Sequence, residues 1–136
     1  MKILSKTIAA LVTLTLLMAS HAKADEWKTP TGGKFIFTTE PGPKPGQVYV
    51  LITGGTPAEK GYLRAGSNEE GAPVVTNGNK TDRSVWQLHQ NSNGWNFILW
   101  GTGENAVSEK SPGVFILLRN KAGGRDNPDQ LFQKLK

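Results

Sequence analysis

Beyond residue 24 the chain carries one histidine, His89, and there is no cysteine anywhere, which removes most of the side-chain pairs that perform chemistry. A His-pair metal site and a Cys-His nucleophile are both unavailable. A serine nucleophile would need His89 beside it, and no Gly-x-Ser-x-Gly elbow occurs. Paired carboxylates can hydrolyse glycosides when they face each other ~5 to 9 Å apart. Glu69 and Glu70 are adjacent, so on extended backbone they point apart and read as a solvated acidic loop. A small carboxylate-dependent hydrolase would therefore need two acids converging from different segments. Gly101-Thr102-Gly103 is too short to cradle a phosphate and lacks the helix that such a loop requires. No catalytic residue, metal ligand or cofactor is assigned, and the protein is read as a non-enzyme.

Binding chemistry has better material. Four tryptophans stand in a short chain, and Trp95 and Trp100 are spaced so that they fall on opposite faces of one strand. They cannot share a core, so one indole is expected at the surface. Trp100 beside Asn96, Glu104 and Asn105 makes a candidate ligand-binding group, with the ring stacking on a sugar or a partner's side chain and the polar groups hydrogen-bonding around it. A second candidate is the polar stretch 119–129. Lys121 or Arg125 at the tip of an exposed loop would suit the cleft of a trypsin-like enzyme, which makes a protease inhibitor the alternative reading. Gly123-Gly124 argues against it, because a flexible loop costs affinity when it is ordered.

The elements that must hold these residues are strands. Sixteen glycines and eight prolines punctuate the chain, and the apolar residues between them come in short runs rich in Val, Ile, Phe, Trp and Tyr, without helical periodicity. Strands are expected at 34–39, 47–53, 61–65, 72–76, 85–90, 95–100, 113–118 and 130–135, with a small one at 106–107. Residues 25–33 read as a lead-in and residues 40–46, rich in proline, as an extended loop. The hairpin 85–100 turns at 91–94. Within it Trp86 and Leu88 share the core face and His89 lies opposite.

Residues 1–24 have a basic head, Lys2 and Lys6, an apolar run over 8–19, and an Ala22-Lys23-Ala24 ending. That is the order of a cleaved secretory signal peptide. The run is too short to span a bilayer, which needs ~20 residues, and no later segment approaches that length. Export to the periplasm or the exterior is expected, in a bacterial setting, with no membrane span. Loss of Lys2, Lys6 and Lys23 takes the formal net charge from +5 to +2. The remaining basic residues are scattered among acids, so nucleic acid is not an expected partner. Residues 25–136 suffice for one domain.

Two segments resemble each other, Ser84-Val85-Trp86-Gln87-Leu88 and Gln130-Leu131-Phe132-Gln133-Lys134-Leu135. Each places an aromatic near the end of a strand after a polar loop; the first is followed by the strand Gly94-Trp95-Asn96-Phe97-Ile98, and the chain opens with one of the same kind, Gly33-Lys34-Phe35-Ile36-Phe37. This alternation resembles the β-trefoil superfamily, both its ricin-type lectins and its mushroom protease inhibitors. The resemblance implies three repeated units, the first ending near Tyr49 or Tyr62, and a non-enzymatic module that recognises a glycan or a protein surface. The expected fold is thus all-β, a single-domain trefoil-like or other small antiparallel β-barrel.

Overall fold

A computed structural model describes residues 24–57, 59–120 and 127–135. Residues 1–23, with nearly all of the expected signal peptide, and Lys121 and Arg125 lie outside the described residues. In β2 (Lys34–Pro41) and β3 (Val48–Gly55) alternate side chains turn inward, burying Phe35, Phe37, Val50 and Ile52. This is the period-two pattern of a sheet with one face on a core. The outward residues of β3, Tyr49 and Leu51, are half-buried. The other strands are β1 (Asp25–Lys28), β4 (Gly61–Ala65), β5 (Pro73–Gly78), β6 (Val85–Asn91), β7 (Gly94–Leu99), β8 (Asn105–Ser111), β9 (Val114–Arg119) and β10 (Gln133–Lys134). Every pairing among them is antiparallel.

The protein is all-β, and seven strands in the order β3-β4-β5-β9-β8-β7-β6 close on one another as a small antiparallel barrel. Closure removes the open edges that would otherwise invite pairing with another chain. A second ring shares β3, β6 and β7 with the first. It runs from β3 through β2, β1 and β10, and returns to β7 by a bridge between Phe132 and Trp95, whose backbones exchange hydrogen bonds of 3.0 and 2.9 Å. The hairpins β4–β5 and β8–β9 are the parts that this second ring leaves out.

Three cross-strand pairs around that ring each include at least one aromatic residue. Trp27 lies opposite Phe35, Val48 opposite Trp86, and Trp95 opposite Phe132. Phe35, Trp86 and Phe132 are each fully buried. Phe132 stacks on Phe97 at 4.5 Å and on Phe35 at 5.7 Å, so the aromatics from distant segments meet in one cluster. Trp86 satisfies its indole N–H on the carbonyl of Leu63 at 2.9 Å. Leu88 packs at the margin of the same core, and His89 is exposed.

Several expectations change. Residues 25–33 are not a lead-in: β1 pairs with β2 on one side and β10 on the other, and Trp27 is buried against Phe37 at 5.1 Å. The strand expected at 106–107 runs from Asn105 to Ser111, because it has β9 as a full-length partner. The closing strand is shorter than 130–135. Pro128 lacks an N–H and starts a 3-10 turn, Pro128–Gln130, instead. Tyr49 and Tyr62, near which the resemblance ends its first unit, are half-buried on β3 and β4. Their rings meet each other at 6.2 Å in a half-buried cluster.

Candidate binding face around Trp100

Trp100 follows the last residue of β7, and its backbone N–H is held by the carbonyl of Val85 at 2.9 Å. That bond anchors the backbone beside β6, while 36% of the residue stays open to solvent. Trp95, on the other face of the strand, packs against the core and meets Trp27 edge-on. The indole of Trp100 borders two hollows. One, of about 320 Å³, is lined by Pro43, Lys44, Gln47, Asn68, Asp82 and Val85. The other, of about 310 Å³, is lined by Gln87, Ile98, Leu99, Gly101 and Gly103.

The first hollow is built by loops that the barrel brings together. Residues 42–47 form a closed connector rather than an extended loop. Gln47 N–H donates to Lys44 O at 3.1 Å, Gly42 N–H donates to Gln47 O at 2.8 Å, and the Gln47 side-chain oxygen accepts from Lys44 N–H at 2.8 Å. Pro45 followed by Gly46 at φ +86° has the residue pattern of a type II turn. A side-chain carbon on Gly46 would stand 3.8 Å from the Trp100 ring, so the turn lies against the indole. The opposite wall includes Asn68, whose carbonyl accepts from the Asn105 side-chain amide at 2.8 Å. Asp82 enters from a 3-10 turn, Asp82–Ser84, capped by a reciprocal pair of hydrogen bonds between Thr81 and Ser84.

The four residues chosen from the sequence therefore separate. Trp100 is at the surface. Asn105 acts one layer back, holding the loop that carries Asn68. Glu104 is exposed but paired with the Arg119 guanidinium at 2.8 Å, and it is not among the lining residues. Asn96 is fully buried and is corrected to a structural residue: its side chain donates to Gln130 O at 3.0 Å and accepts from Asn91 at 2.9 Å. Alternation places Asn96 opposite Phe97, but the turn Pro128–Gln130 covers that second face, and both residues are buried. Lys44, Gln47, Asn68 and Asp82 come from three separate loops. Only the Pro45-Gly46 turn among these features has a local sequence signal.

A separate polar cluster lies across β2, β3 and β4. The Glu40 carboxylate accepts from Tyr62 Oη at 2.8 Å and pairs with Lys80 Nζ at 2.7 Å. The same ammonium stands 5.1 Å from the Tyr49 ring and 5.3 Å from the Tyr62 ring, within reach of both π faces. The Lys80 hydrogen bond, seconded by that of Tyr62, holds Glu40 below the ordinary carboxylate range. Burial, with the Glu40 charge, holds the Tyr62 phenol up, and the Glu40 hydrogen bond holds the Lys80 ammonium up.

Among the described residues no group of three His, Asp or Glu side chains is arranged to hold a metal ion, and no helix is long and apolar enough to cross a membrane. Comparison with known proteins finds no matching family model, curated protein or solved structure.

Proposed function

We propose that the protein is an exported recognition module that binds a glycan on the face around Trp100 and performs no covalent chemistry there. The observation that carries this reading is the half-open indole between two hollows edged by hydrogen-bonding groups. A flat apolar ring with amide, carboxylate and ammonium groups beside it suits a pyranose, which presents C–H bonds on its faces and hydroxyls at its rim. Asn68 and Gln87 supply amides, Lys44 and Asp82 opposite charges. The lining offers one carboxylate, Asp82, where acid–base glycoside hydrolysis needs two. Export rests on the leader-like order of residues 1–24. The trefoil-like reading of the fold is supported by the six-strand ring, with its two aromatic pairs and one valine–tryptophan pair, and by β1–β2 as a unit that lacks the hairpin carried by the other two.

A glycan array read with wild type and Trp100→Ala tests the proposal. Loss of the indole is expected to weaken binding tenfold or more, about 1.4 kcal/mol, while circular dichroism stays unchanged because the ring is outside the core. Array signal that survives the substitution, or an array with no hit, overturns the assignment.

A further inference from the structure

The cavity at the other end of the β2–β3 ladder shares no residue with the Trp100 face. It measures about 450 Å³ and is lined by Thr29, Thr31, Gly33 and Phe35 from the first hairpin, Thr56, Pro57, Glu59 and Thr76 from the middle of the chain, and Glu109, Pro112, Gly113 and Phe115 from the β8–β9 hairpin. Phe35 and Phe115 make an apolar floor, both buried.

Glu109 is the unusual member. It is 2% exposed, yet among the described residues no cationic side chain forms an ion pair with it. Its two oxygens accept from Thr31 N–H at 2.8 Å and Gly113 N–H at 2.9 Å. Those bonds fill about two of its four acceptor positions and supply no counter-charge. A carboxylate taken out of water is costly unless a cation meets it. Glu59 adds a second acid to the lining, held by the Asn77 amide at 2.7 Å. Among the described residues the lining holds no Lys or Arg; the exposed Lys60 donates to the carbonyl of Pro57, a lining residue, and makes no ion pair with either acid.

We propose that this cavity binds a small organic cation, a primary ammonium carried on an apolar, ring-sized body. The ammonium meets the free positions of Glu109 and the threonine oxygens, and the body lies on Phe35 and Phe115, whose rings also attract a cation. Low local dielectric strengthens the charge pair relative to the same contact in water. Glu109 also ties the β1–β2 turn to the β8–β9 turn, so a purely structural carboxylate is the competing account, and the test varies the charge of the ligand as well as that of the protein.

Amide NMR titrations of the purified protein with benzylammonium, benzyl alcohol and benzoate separate the two. Benzylammonium is expected to saturate shifts centred on the Thr31 and Gly113 amides at ~1 mM, the range open to so few heavy atoms. Benzyl alcohol is expected to bind at least tenfold more weakly, and benzoate not at all. Glu59→Gln, on an exposed residue, is expected to weaken benzylammonium two- to threefold, and Glu109→Gln at least tenfold if it folds. Should Glu109→Gln fail to fold, the ligand series decides alone. Equal binding of alcohol and ammonium, or no saturable shift with any probe, overturns the proposal.

Discussion

At the scale of single residues, the Glu40–Tyr62–Lys80 cluster ties stability to pH in both directions. Glu40 is held below its ordinary 4.5, so its contribution is complete above that value and is lost as pH falls through the lowered one. Tyr62 and Lys80 are held above 10.0 and 10.5, so theirs is present below those values and is lost as pH rises beyond them. Glu40→Gln is expected to lower the urea midpoint at pH 7 and to lose that effect as the pH falls through the lowered Glu40 value. An equal deficit above and below that value contradicts the assignment. The buried amides give a second expectation. Asn96→Ala strands Gln130 O in the interior and is expected to cost about 1 to 3 kcal/mol in chemical denaturation, with the proposed glycan binding at Trp100 unchanged. Asn96 shows how far residue types can be read alone. An asparagine next to aromatics looks the same in the sequence whether it faces water or a 3-10 turn packed from thirty-odd residues away.

At the scale of elements, the connector at residues 42–47 matters most for the candidate site. Gly46 has φ +86°, a conformation that a side chain strains. Gly46→Ala is expected to destabilise by about 1 kcal/mol and to weaken ligand binding by displacing the turn that lies against Trp100, both readable in one thermal-shift titration. The sequence marked this loop by its prolines but implied an extended path, since proline removes donors without saying which remaining donors close a turn. Short apolar runs between turn residues located β2, β3, β4, β6, β7 and β9 closely, although β7 buries both of its faces at Asn96 and Phe97. They missed β1, which is four residues long and bounded by Pro30 and the Gly32-Gly33 pair. Its strand character comes from partners on both sides rather than from its own pattern.

At the scale of the whole molecule, the barrel closes through β3 and β6, and the second ring is held where the first and last described strands meet. β1 pairs with β10 through Trp27 opposite Lys134 and Lys28 opposite Gln133, and Phe132 completes the aromatic cluster. Phe132→Ala is expected to cost about 3 to 5 kcal/mol, against about 1 kcal/mol or less for Leu135→Ala, an exposed residue, measured by denaturant unfolding. The small all-β barrel was legible from the sequence because short apolar runs between turn residues allow little else. The candidate site was legible only at Trp100, since its other members converge from loops whose meeting depends on closure. Phe132 also bridges to Trp95 and stacks on Phe35 and Phe97, so rings that stand far apart in the chain are buried only together, and the cluster is expected to open as one unit rather than strand by strand.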